Sequence, residues 1–351
     1  MYSQFHFKAV LAQLVERLLA KQKAAGSRPA YRTNYLVKVL VLLLFLFSIA
    51  ACGGGGSSGS NNQDLSSPQD DSLIELCSNT SIQNLQKCDL KHDNLDRYYY
   101  VYKPDNLDIN QSIPVLFALH GYGSSASRHL GYTNYMPIAD SNNFVVIYPQ
   151  GATTASLSAH WNVGGWTSKS TVKDIEFIDT IIGLIKDKIQ IDETRIYSSG
   201  MSNGGYMSYH LACNLGEKIA AIASVTGSMT YDTYDNCSPS HPTPVLQIHG
   251  LLDFVVPYNG NSGSKSIPDV IDYWVNYNSC NLEANRLIKY SNNIDLIVYD
   301  TYEDCLNDVN VKLIVHPEMG HDWPFIENYN VSASNEIWDF VSQYDLYGLI
   351  E

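Results

Sequence analysis

Gly200, Met201, Ser202, Asn203 and Gly204 form a G-x-S-x-G pattern, the spacing that seats a serine on a tight turn between a strand and a helix. Side chains at the two glycines would collide with the adjoining strand and helix, while the strained turn projects the serine Oγ outward. A serine hydroxyl is a weak nucleophile near neutral pH and needs a base within hydrogen-bond reach. Among ten histidines, His321 is the one placed for that task. It lies in the run Met319 to Pro324, just after the apolar stretch Val311 to Val315, and loops at the carboxyl ends of parallel strands are where reacting groups gather. His316 is the nearest rival but is held by the strand end, and His120 and His249 each precede a glycine and read as turn-setting. Asp253, four residues after His249, is the acid expected to fix the His321 tautomer and to stabilise its imidazolium.

The order Ser202, Asp253, His321 is the one that a doubly covered α/β sheet uses, and it differs from the orders of chymotrypsin-like and subtilisin-like proteases. Acyl transfer through such a set also requires two donors for the developing oxyanion. The backbone N–H of Asn203, directly after the nucleophile, is expected to supply one. The N–H of Tyr122, in the glycine-flanked run Leu119 to Gly123, is expected to supply the other. Trp161, Trp166 and Trp323 are candidates for the wall of an acyl pocket, with Tyr122 beside them.

The elements that must position these residues can be read from periodicity. Tyr98 to Tyr102, Val115 to Leu119 and Phe144 to Tyr148 are β-branched and aromatic runs that read as strands, followed by Arg195 to Ser199, Ala220 to Val225, Val245 to His249 and Val311 to Val315. Between them, Asp174 to Lys188 carries isoleucines at helical spacing, a helix is expected from about Gly204 to Leu215, and another near Asn335 to Tyr344. Alternating strands and helices, with strands apolar on both faces, imply an α/β fold whose mostly parallel central sheet is covered by helices on each side.

The chain is acidic, with a formal charge of -14, although Met1 to Ala51 hold seven Lys and Arg against one acid. That balance argues against nucleic acid as a partner. Val39 to Ala51 is apolar except for Ser48, too short to span a bilayer but of the length of a signal-peptide core. Ile49, Ala50, Ala51 and Cys52 resemble a bacterial lipobox, and a Gly and Ser tract follows as a tether would. The expected organisation is therefore a signal peptide over 36–51, lipidation at Cys52, a polar linker over 52–76 and a catalytic domain over 77–351. Residues 1–35 are expected to lie upstream of the true translation start. With Cys52 lipidated, Cys77, Cys88, Cys213, Cys237, Cys280 and Cys305 remain, an even number for an exported chain. Fifteen connectivities are open, with neighbour pairing preferred, and no Cys-x-x-Cys spacing suggests a structural metal.

Four segments together resemble the polyhydroxybutyrate depolymerase and feruloyl esterase group of secreted α/β-hydrolases. Leu119 to Ala126 is similar to its oxyanion segment, Gly200 to Gly205 to its elbow, His249 to Tyr258 to its acid loop and Gly320 to Pro324 to its Gly-His-x-Trp-Pro loop. One departure is Lys173, which precedes Asp174 where the group often has two adjacent acids. Asp174 is expected to keep a structural role at a helix N-terminus. The resemblance implies an α/β-hydrolase fold and hydrolysis of carboxylic esters through an acyl-enzyme, with no metal or organic cofactor. Its substrates would be polyester oligomers or phenolic and acetyl esters of plant polysaccharide. The alternatives are a peptidase of the same fold and a silent, lipid-anchored binding protein.

Overall fold

The computed structural model describes residues 75–351 except 109, 156 and 292–294. The expected extension, the signal segment, the lipidation site Cys52 and nearly all of the expected linker lie outside the described residues. The first strand, β1, spans Glu75–Asn79 and so opens within the stretch read as linker.

After β1 the strands of the main sheet are β2 (Leu85–His92), β3 (Leu95–Tyr102), β4 (Ile113–Leu119), β5 (Val145–Pro149), β6 (Ile191–Met201), β7 (Ala221–Val225), β8 (Val245–Gly250), β9 (Asn285–Ser291), β10 (Asp295–Tyr302) and β11 (Val311–His316), and a short pair, β12 (Tyr344–Asp345) and β13 (Gly348–Leu349), stands apart from it. The helices are α1 (Ala126–Thr133), α2 (Met136–Asn142), α3 (Asp174–Lys186), α4 (Asn203–Asn214), α5 (Tyr231–Asp235), α6 (Ile267–Tyr277), α7 (Ile326–Tyr329) and α8 (Ala333–Val341). The eleven strands form one sheet in the order β1-β2-β3-β5-β4-β6-β7-β8-β11-β10-β9.

Parallel pairing runs through the six central strands, from β5 to β11. Every residue of β4, β5, β7 and β8 is buried, which explains why their sequences are mostly apolar, with Ser224 in β7 and Gln247 and His249 in β8 as the buried polar exceptions. Both flanks are antiparallel, β1-β2-β3 on one side and β10-β9 on the other. In β3, burial alternates along most of the strand, so its outward positions are polar or tyrosine and dilute the apolar signal.

Residues two apart on a strand face the same side. From β6, Ser198 bonds to Ser208 of α4, whereas Tyr197 packs edge-on against Trp338 of α8. The two helices therefore cover opposite faces. On the α4 side Tyr209 stacks on Trp274 of α6, and on the α8 side Trp338 stacks on Phe144 at 3.5 Å. The isoleucine-rich helix α3 buries Phe177, Ile178, Ile181, Ile182 and Ile185 and stops at Lys186, two residues short of the expected end.

Three disulfides join the neighbours: Cys77 to Cys88, Cys213 to Cys237 and Cys280 to Cys305. The first bridges a register pair of β1 and β2. The second ties α4 to the loop beyond α5, and the third ties the end of α6 to the segment after β10.

Candidate active site

After β5 the chain crosses back to form β6 on the other side of β4, so the loops leaving β4 and β6 diverge at a switch point of the sheet. Such a point opens a crevice at the carboxyl ends of the strands. Ser202 sits there, between β6 and α4, with φ 53° and ψ -120°. A non-glycine residue in that region is strained, and the surrounding glycines show what holds it. A Cβ on Gly200 would overlap Gly204, and one on Gly204 would overlap the Leu119 carbonyl. On Gly205 a Cβ would lie 2.5 Å from Ser224 Oγ. The Ser202 N–H donates to Val225 O at 2.9 Å, which anchors the turn to β7.

The turn after β4 lies against this elbow. A Cβ on Gly121 would stand 3.4 Å from Ser202 Cβ and 3.9 Å from its Oγ. Trp161 ties the two segments together. Its N–H donates to Asn203 Oδ1 at 2.7 Å, its carbonyl accepts from Asn203 Nδ2 at 3.1 Å, and its indole N–H donates to His120 O at 2.9 Å. The Asn203 side chain is thus fully committed within the fold, and the segments that carry Tyr122 and Asn203 are held at fixed separation. His120 is buried and turn-setting as expected: Nδ1–H donates to Gly121 O, and Nε2 accepts the Gly151 N–H at 2.9 Å. Burial lowers its pKa to about 4.

Asp253 follows β8 and His321 follows β11, adjacent parallel strands, so both leave the same edge of the sheet. Their loops are bonded to each other, Leu251 N–H to His316 O and Leu252 N–H to Met319 O, both at 3.0 Å. Gly250 permits this approach, since a Cβ there would overlap Met319 O. As a result His321 Nδ1 lies 2.8 Å from Asp253 Oδ2 across 68 residues of sequence. The other carboxylate oxygen accepts the N–H groups of Val255 at 2.9 Å and Val256 at 2.8 Å. Burial alone would raise the Asp253 pKa, but the bonds from His321 and Val256 outweigh it, and the carboxyl is held below its ordinary value. An ionised acid can only accept here, so His321 Nδ1 carries the proton and Nε2 is left as the basic nitrogen.

His316, the rival histidine, is buried with Nδ1 accepting the Glu318 N–H and its ring edge-on to Tyr329. Asp174 is likewise structural, paired at 2.8 Å with the buried Arg97 and accepting the Asn162 N–H.

The expected tryptophan wall needs correction. Trp161 and Trp323 are fully buried, the first because it bridges the two loops, the second because His129, Tyr132 and Tyr135 surround its ring. Of the three, Trp166 alone reaches the surface, at 39% exposure, edge-on to Tyr122 at 5.9 Å and to Tyr206 at 5.7 Å. Phe254, directly after Asp253, is 87% exposed.

A family model described as phospholipase/carboxylesterase matches residues 109–279. Over 257 residues the chain is 30% identical to a bifunctional acetylxylan esterase/xylanase of Neocallimastix patriciarum, covering 72% of this chain and 34% of that protein. Over 255 residues it is 28% identical to feruloyl esterase B of Piromyces equi, covering 69% and 44%. The chain therefore spans less than half the length of these two relatives. Among solved structures, a mutant feruloyl esterase module from Clostridium thermocellum, complexed with sinapinate, superposes with a TM-score of 0.51 at 12% identity. That match covers 76% of this chain and 89% of the module, and it bears on the fold. The sheet order, the strained elbow and the matching family model together mark the chain as an α/β-hydrolase, similar in sequence to feruloyl and acetylxylan esterases.

Proposed function

We propose that this protein is an exported serine hydrolase that cleaves carboxylic esters carried by plant polysaccharide, feruloyl or acetyl. The observation that carries the reading is the 2.8 Å pairing of His321 Nδ1 with Asp253, on the same sheet edge as a serine held at positive φ. Ser202 Oγ attacks the ester carbonyl while His321 Nε2 takes its proton. The oxyanion so formed is held by the N–H groups of Asn203 and Tyr122. Collapse expels the alcohol, which receives the proton from His321, and leaves an acyl group on Ser202. Water, deprotonated by the same nitrogen, then attacks that acyl group and releases the acid and free Ser202. Support for the substrate comes from relatives named as feruloyl and acetylxylan esterases and from the exposed rings of Trp166 and Tyr122. An aromatic acyl group or a sugar face could stack on those rings.

The test is hydrolysis of methyl ferulate, acetylated xylan and hydroxybutyrate oligomers, with a peptide series alongside. Ser202→Ala abolishes turnover of the ester substrates while the protein stays folded by circular dichroism. Full activity in that variant overturns the assignment. Preference for the oligomers or the peptides moves the substrate to polyester or amide. Lipid attachment at Cys52 is part of the same proposal, and labelling with a radioactive acyl precursor should vanish in Cys52→Ala.

A further inference from the structure

A buried chain of hydrogen bonds runs from the nucleophile helix to the acid. Tyr209, on α4 seven residues beyond Ser202, donates its hydroxyl to Gln247 Oε1 at 2.7 Å. Gln247 Nε2 lies 3.0 Å from His249 Nδ1, His249 Nε2 lies 2.9 Å from Val256 O, and the Val256 N–H reaches Asp253 Oδ1 at 2.8 Å. Tyr209, Gln247 and His249 are all fully buried, and the two β8 residues share one face because they are two apart.

Each proton in this chain has one consistent place. Gln247 Nε2 also faces the carbonyls of Gly227 at 3.1 Å and Ile248 at 3.3 Å, so the amide nitrogen must be on that side and Oε1 toward Tyr209. His249 Nδ1 is then an acceptor. Its Nε2 carries the hydrogen, as the Val256 carbonyl requires. The groups that face this imidazole are Asp253, with Oδ2 at 3.6 Å from Nε2, His321 beyond it, and Tyr258, whose ring centre is 6.0 Å away. From β11 its register partner is Val315, and from α4 Tyr209 is linked to it through Gln247.

We propose that His249 is a positioning residue: locked by Gln247 as the neutral Nε2–H tautomer, it holds the Val256 carbonyl and thereby aims the Asp253 carboxylate at His321. The inference rests on the functional reading above. Without His249, the loop that presents Val255 and Val256 to one carboxylate oxygen keeps the Asp253 N–H bond to Gly250 O but loses its side-chain tie at Val256 O, and the other oxygen loses its fixed direction. Burial keeps the imidazole neutral well into the acid range, with its pKa lowered to about 4, so the tautomer persists at neutral and mildly acid pH.

His249→Phe removes both bonds, and Tyr209→Phe removes one hydroxyl at the far end of the chain. Both are measured with p-nitrophenyl acetate across pH, beside Asp253→Asn and thermal melts. In His249→Phe, kcat is expected to fall about tenfold to a hundredfold, as for other partners that orient a reacting group, with KM nearly unchanged. The acid limb of the kcat profile should also move to lower pH, because a misaimed carboxylate stabilises the His321 imidazolium less. Tyr209→Phe should move both in the same sense by less. A purely structural role would lower the melting temperature and leave the limb in place, and that result overturns the proposal. If Asp253→Asn keeps full activity, the functional reading fails and the proposal with it. If Asp253→Asn is inactive while a folded His249→Phe behaves as the parent, the positioning role alone fails.

Discussion

His321 Nδ1 and Asp253 Oδ2 meet at 2.8 Å although 68 residues separate them, because the loops that carry them are bonded to each other at Leu252 and Met319. Asp253→Asn would keep the shape but offer His321 an amide that can donate, favouring the wrong tautomer. We expect kcat to fall by about 10³ to 10⁴ with little change in melting temperature, measured by steady-state kinetics and calorimetry.

His120, His129 and His249 are buried without charge, the first and last with pKa values lowered by burial to about 4 and His129 also lowered well below its ordinary value by burial. Their ordinary value is 6.5, so the unfolded chain binds protons below that pH which the folded chain refuses. Stability is complete above pH 6.5 and declines as pH falls toward 4. His120 and His249 each contribute on the order of 1 kcal/mol per pH unit in that window, and His129 acts in the same direction. Urea unfolding at pH 7 and pH 5 should show the loss, and equal midpoints would contradict the burial.

Arg97 and Asp174 form a buried pair between β3 and the start of α3, with the guanidinium 3.8 Å over the Phe177 ring. Asp174→Asn strands the arginine charge, and we expect about 3–5 kcal/mol of destabilisation in denaturant titration. Arg97→Met combined with Asp174→Leu should recover much of it.

Trp166 and Trp323 should separate cleanly. Trp166→Ala is expected to raise KM for methyl ferulate severalfold and leave the melting temperature within a few degrees, because its ring is half in solvent. Trp323→Ala empties a site enclosed by three aromatic rings and should cost about 3–5 kcal/mol, seen in the melting temperature before any effect on KM.

The site was legible where its requirements are local. The glycines at 200 and 204 are demanded by the turn itself, and Gly250 and Gly320 flank the acid and the histidine, so short motifs mark each loop. Solvent exposure is decided by neighbours far along the chain. Trp161 looks from its sequence like Trp166, yet it is buried because it bonds to Asn203, 42 residues away. The parallel centre was readable from strands buried on both faces. The flanks were not, because β1, β2, β9 and β10 mix lysine, aspartate and asparagine with their apolar residues, as edges of a sheet do. The chain through Gln247 and His249 escaped notice because nothing in the sequence says that α4 lies over β8.

The disulfide pattern carries one more consequence. The three bonds are consecutive in the chain, with separations of 11, 24 and 25 residues, and no bond encloses or crosses another. A chain oxidised in the order in which it emerges makes each bond before the cysteines of the next appear. Once Cys52 is taken up by the proposed lipid, such a protein needs no reshuffling, and an oxidant that simply joins each new thiol to the previous one would suffice to produce it.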